Sequence, residues 1–177
     1  MPFRRETHIT RLIVFAGLPA SGKSTIAREA ARRTGAFWLR IDSMDRAIWA
    51  SGTAPVDLQD WTYRAAQAVA EDNLRLGRDV IGDCVNDWTV AREGWQQVGL
   101  RAGAEVFWVE IVCADPAEHR RRVETRVSDI PGHALPGWDE VIARTYHPWD
   151  RDHLTIDTSA RSVSGCVELL LTALQTQ

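Results

Sequence analysis

An α/β architecture, a parallel sheet covered by helices on both faces, is what this sequence predicts, and three observations predict it. Short continuous apolar runs alternate with segments of helical period along the chain. The first run, "RLIVFAG" (11–17), has no charged residue after Arg11, which suits a strand buried on both faces. Directly after it comes "GLPASGKST" (17–25), where Gly17, Gly22, Lys23 and Ser24 fit the pattern G-x-x-x-x-G-K-[ST].

The elements follow in order. Residues 23–34 read as the helix opened by that loop, and "AFWLRID" (36–42) as a second strand closing at Asp42. Helical patterns cover about 43–50 and 58–76, with Asp57 as a candidate N-cap of the second. "DVIGDC" (79–84) is the third strand, carrying Asp83 at its end, and 88–101 is a helix. "AEVFWVEIVC" (104–113) is the fourth strand. "DPAEHRRRVETRV" (115–127) opens with Asp-Pro, a helix start, and sets Arg122 and Arg126 four residues apart on one face. A Pro/Gly-rich loop (128–137), a short helix (138–146), a fifth strand "HLTIDT" (153–158) and a closing helix (162–175) complete the chain. Neither a repeat nor a long linker interrupts it, so residues 1–177 are expected to form one domain.

Composition narrows the function classes. The net charge is −3 and no run of like charge exceeds Arg120-Arg121-Arg122, which disfavours duplex nucleic acid or a membrane surface as partner. Cys84, Cys113 and Cys166 form no CxxC pair, so neither zinc nor a disulfide framework is signalled; Cys84 and Cys113 read as buried thiols. The start imitates a secretory signal, but its apolar run is short and the Gly-rich loop follows at once, so a cytoplasmic location is expected. Of 21 basic residues 20 are Arg, and the only lysine is Lys23.

That lysine sits where a phosphate loop requires one. In such a loop the backbone N–H groups of Gly17, Leu18, Pro19, Ala20, Ser21, Gly22, Lys23, Ser24 and Thr25 (proline excepted) turn inward as a nest for phosphate oxygens. The helix that follows adds the positive end of its dipole. Lys23 reaches the β and γ phosphates in this scheme, and Ser24 holds Mg²⁺. A nucleoside triphosphate with Mg²⁺, ATP in the first instance, is the expected ligand.

Other strings decide among users of this loop. The guanine motif N-K-x-D is absent, and the one D-x-x-G, "DIPG" (129–132), falls in a loop after a helix rather than at a strand end. No transporter-type L-S-G-G-Q occurs either. Asp42 and Asp83, at the ends of the second and third strands, are expected on the rim that carries the phosphate loop. Transfer of a γ-phosphoryl group to an alcohol needs a carboxylate beside the acceptor and another near the metal. Asp42 suits the first role and Asp83 the second, although either could simply cap a turn.

"GLPASGKST", "LRIDSMDR" and "DVIGDCVN" together resemble the P-loop kinase group, which includes adenylylsulfate kinase, chloramphenicol phosphotransferase, the zeta-type toxins and the kinase module of polynucleotide kinase. The resemblance runs in order through most of the chain. It implies the P-loop NTPase fold with sheet order 2-3-1-4-5, Asp42 as base, and a mobile Arg-bearing lid after the fourth strand, at about 120–137. Arg122 and Arg126 then become candidates for neutralising the transferring phosphoryl oxygens, against the alternative of a solvated basic helix face. Thr158 and Ser159 match the segment beside the adenine ring, though a helix cap serves equally well. Asp45, Arg46, Asn86 and Arg92 are polar candidates for the acceptor wall. Trp49, Trp61 and Trp88 either shape that pocket or merely pack. The expected activity is an ATP- and Mg²⁺-dependent phosphotransferase acting on a hydroxyl of a small molecule. A polynucleotide 5′-hydroxyl kinase and a regulatory nucleotide-binding ATPase are the alternatives.

Overall fold

A computed structural model describes residues 9–52 and 60–176. The elements are β1 (Arg11–Ala16), α1 (Lys23–Thr34), β2 (Phe37–Arg40), α2 (Ile41–Ala50), α3 (Trp61–Arg75), β3 (Val80–Asp83), α4 (Thr89–Ala102), β4 (Glu105–Val112), α5 (Pro116–Thr125), α6 (Trp138–Ala143), β5 (Leu154–Asp157) and α7 (Val163–Gln175). All sheet pairings are parallel, in the order β2-β3-β1-β4-β5, as the resemblance implied.

Strand periodicity builds two cores from one sheet. Ile13 and Phe15 of β1 point with Phe107, Val109 and Ile111 of β4 into the layer closed by α1 and α7. Leu12 and Val14 point the opposite way, against Ala66 and Ala70 of α3 and Trp95 and Val98 of α4. Because β1 has helices on both faces, Leu12 to Ala16 are almost wholly buried, which explains the unbroken apolar run. Asp115 caps α5 by accepting from the Ala117 and Glu118 amides, with Pro116 in the first helical position, as Asp-Pro predicted.

Several boundaries differ from expectation, and two of them move candidate residues. β2 ends at Arg40, the last residue in register with β3 (opposite Asp83), and α2 begins at once. Asp42 therefore lies in the first turn of a helix rather than at a strand end. α5 stops at Thr125, and Arg126 takes an extended conformation (φ −65°, ψ 147°). Arg122 and Arg126 thus do not share a helix face. α6 is shorter than predicted, and α3 starts at Trp61 after Asp60; the proposed cap Asp57 lies outside the described residues. Cys84 and Cys166 are buried and Cys113 half-buried, all as free thiols.

No helix among the described residues is long and apolar enough to cross a membrane.

Candidate active site

The phosphate loop leaves the carboxyl end of β1 between the ends of β3 and β4, the crevice where parallel sheets take ligands. Its shape has an identifiable cause at Gly17, where φ is +141° and a Cβ would stand 2.2 Å from the Ile111 carbonyl oxygen. No side chain fits there. The Gly17 amide donates to the Val85 carbonyl at 3.0 Å, tying the loop to the end of β3. At the other end Gly22 is left-handed (φ +101°) and turns the chain into α1, whose first residue is Lys23. Lys23 is only 7% exposed yet lines the cavity described below.

Two carbonyls of the loop are gripped from outside. The His119 ring nitrogen Nε2, on α5, lies 2.8 Å from the Pro19 carbonyl oxygen, with Trp138 edge-on behind the imidazole. The Thr158 hydroxyl donates to the Ser21 carbonyl at 2.7 Å and accepts from Arg122 Nη1 at 2.8 Å. Between these grips sits Ala20, held at φ +64°. Helix α5 therefore secures the loop on both sides of its one non-glycine left-handed residue. Neither grip was legible beforehand, because His119 stands 100 residues from Pro19 and carries no spacing signal.

Below the loop, Ser24 Oγ donates to Asp83 Oδ1 at 3.1 Å, and the Trp38 indole N–H to Asp83 Oδ2 at 3.2 Å. Burial pushes the Asp83 carboxyl up from its ordinary value, while the Lys23 charge and the Ser24 hydroxyl pull it back. A hydroxyl and a carboxylate so placed are hard oxygen donors of the kind a magnesium ion takes.

The loop opens onto a cavity of about 1020 Å³. Its lining includes Arg122 with its partner Thr158, and Asp42 and Asp45 of α2 with Arg126 and His133, which interact with them electrostatically. Arg40 makes a two-pronged ion pair with Asp129 (2.9 and 3.0 Å), fastening the loop after α5 to the end of β2. Asp42 has no hydrogen-bond partner among the described residues, and its charge acts on Asp83, Asp45, Arg40 and Arg126. Arg126 Nε is buried without a partner, and desolvation lowers its pKa.

Other candidates stand elsewhere. All three nitrogens of Arg122 are engaged, by Glu118 and by the hydroxyl and carbonyl of Thr158. It braces the loop instead of projecting freely into the cavity. Arg46 donates to the Pro131 carbonyl at 2.9 Å, in the loop between α5 and α6. Asn86, fully buried, donates to the Phe15 carbonyl at 2.7 Å and does not line the cavity. Arg92 is likewise fully buried, donating to the carbonyls of Asn86 (2.8 Å), Pro148 and His147 (2.9 Å each) under the Trp149 ring. Chain position alone places both on the acceptor wall; instead the Arg92 guanidinium and the Asn86 amide nitrogen are engaged inside the protein, and Asn86 Oδ1 is buried without a partner. Trp49 and Trp61 are exposed, and Trp88 packs edge-on against Tyr63 in a separate groove of about 460 Å³ between α3 and α4.

Arg92→Met is accordingly expected to act on stability. Three carbonyls would lose their donor, that of Asn86 inside the protein, at a cost of about 1–3 kcal/mol. Urea melts should show this loss, while nucleotide affinity of the folded fraction stays near wild type.

The AAA domain family (AAA_33) matches residues 12–143, about three quarters of the chain, from β1 through α6. The chain belongs to that family. None of the curated proteins matches this AAA-domain chain. Among solved structures it is similar to a sugar kinase from Janibacter sp. HTCC2649 (TM-score 0.69, 20% identity, covering 94% of this chain and 95% of that one). It is also similar to the Mycobacterium tuberculosis APS kinase CysC in complex with AMPPNP and APS (TM-score 0.69, 18% identity, 94% and 98%). Chaetomium thermophilum Kti12 in complex with ADP-AlF3 is a third (TM-score 0.63, 20% identity, 92% and 98%). At these identities the likeness is one of fold: the P-loop NTPase fold, shared with kinases and with proteins that hold nucleotides.

Proposed function

We propose that this chain transfers the γ-phosphoryl group of ATP to a hydroxyl of a small molecule, with Mg²⁺ as cofactor. One observation carries the reading: the Lys23 loop and the unpartnered Asp42 carboxylate line the same cavity. The loop amides and Lys23 bind the phosphates. Ser24 would hold the metal and Asp83 its water shell, and the ion would supply charge neutralisation at the phosphates. Asp42 accepts the proton of the acceptor hydroxyl as its oxygen bonds to phosphorus, and ADP leaves. Thr158 contributes by fixing the loop rather than by reading the base.

The test is a screen of alcohol-bearing metabolites with γ-labelled ATP, read as label transferred to the acceptor. ATP turnover that no alcohol accelerates would instead mark a regulatory ATPase.

Arg126 is the cation expected to act late in this scheme. Its guanidinium borders the cavity on the lid segment, is partly desolvated, and has only a 3.5 Å contact to the Pro136 carbonyl as a hydrogen bond. Arg126→Ala should depress kcat more than it weakens ATP binding, and Arg126→Lys should recover little, because an ammonium lacks the planar fork. Hydrogen exchange across 120–137 should slow when a non-hydrolysable ATP analogue and acceptor are both present. Equal exchange in both states, with a near-normal Arg126→Ala rate, would remove this segment from the mechanism.

A further inference from the structure

Resting on the phosphotransferase reading, we infer that the acceptor is an uncharged polyhydroxylated molecule without an aromatic ring, the chemistry of a sugar or sugar alcohol, and that Asp42 and Asp45 hold it. Three features of the cavity lead there.

The first is what its walls are made of. The chain has eight tryptophans, two tyrosines and four phenylalanines, and all but Phe3 are described. None of the described ones lines the cavity. Residues 53–59, outside the described set, read TAPVDLQ and include no aromatic. A flat ring beside Asp42 would find no Trp, Tyr or Phe face among the described residues to pack against. The lining offers His133, Leu135 and Pro136 instead.

The second is charge. Arginines are numerous around the cavity, yet several are already committed. Arg40 is paired with Asp129, Arg144 with Asp87 at 3.0 Å, and Arg28 lies 3.7 Å from Asp129. Arg126 remains, and the charge acting on it is that of Asp42. An acceptor carrying a carboxylate, sulfate or phosphate would be repelled by Asp42 and Asp45, and Arg126, on which the Asp42 charge acts, is required by the transferring phosphoryl group.

The third is the pair itself. Asp42 and Asp45 lie three residues apart on α2, so both face the cavity from successive turns. Asp45 is half-buried, and burial pushes its carboxyl up while the Thr62 hydroxyl pulls it back. A desolvated carboxylate of this kind is satisfied by hydroxyl donors. Neighbouring hydroxyls of a polyol supply them in pairs, one to Asp42 as the reacting group and one to Asp45 as the anchor.

The experiment offers the full chain γ-labelled ATP and Mg²⁺ with four sets of acceptors: neutral monosaccharides and alditols, sugar acids of the same carbon skeletons, nucleosides, and 5′-hydroxyl oligonucleotides. Label is expected in the neutral set, with kcat/KM at least tenfold above the matching acids. Asp45→Asn should raise KM for the neutral acceptor about tenfold and shrink the preference over the acid, with ATP affinity on the same sample reporting that the protein is folded. Label in nucleosides or oligonucleotides, or a preference for the acids, overturns this inference and leaves the phosphotransferase reading intact. An unchanged KM in Asp45→Asn removes Asp45 from the site and overturns the inference as well. Label in none of the four sets, with ATP turnover unaccelerated, overturns both.

Discussion

Asp42→Asn is expected to lower kcat by roughly 10²–10⁴-fold while leaving ATP affinity nearly intact. The amide keeps the shape of the side chain and cannot accept the hydroxyl proton. A purely structural Asp42 would behave differently. It sits in the first turn of α2 without a side-chain capping bond, so its only structural contribution is favourable charge at a helix N-terminus. Losing that costs about 0.3–1 kcal/mol of stability and little rate. Single-turnover kinetics beside calorimetric ATP binding separates the two. If ATP binding collapses and the acceptor step stays normal, Asp42 belongs to the nucleotide site and the base must be sought elsewhere.

Lys23→Met should cut phosphoryl transfer by at least about 10²-fold, because the ammonium is aimed at charge that redistributes during transfer. The fold should survive, since the loop's geometry depends on Gly17, Gly22 and the carbonyl grips from His119 and Thr158 rather than on the lysine. Thermal melts with and without ATP and Mg²⁺ should show nucleotide stabilisation reduced or lost. A wild-type rate with the true acceptor would sink the assignment of this loop.

The difference between what could and could not be read in advance follows from how each feature is encoded. The phosphate loop is contiguous, and its strand–loop–helix setting is contiguous too, so Gly17 to Thr25 were legible from pattern alone. Asp83 was legible because a buried strand ending in a carboxylate leaves few places for that charge, and it stands 3.1 Å from Ser24. Boundaries were harder. Apolar periodicity cannot tell that β2 passes into α2 without a loop, nor that α5 ends one residue before Arg126. Least legible were side chains whose partners are distant along the chain. Arg92 looks like any polar residue on a helix after the third strand, and only the 146–149 segment folding over it makes it a buried clamp. The pairing of Arg40 with Asp129 spans 89 residues and leaves no trace in either local pattern.

Lys23 also gives the molecule a chemical property separate from turnover. It carries the only side-chain amine in the sequence, and the residue is 7% exposed at the wall of the cavity. An acylating reagent delivered on a nucleotide should therefore form one side-chain amide, on one peptide, and free ATP should suppress it in proportion to occupancy. Cleavage after lysine alone would release two fragments whose junction falls inside the phosphate loop, so protection of that bond reports the same occupancy. With twenty arginines carrying the rest of its basic charge, this protein holds its amine chemistry at one address.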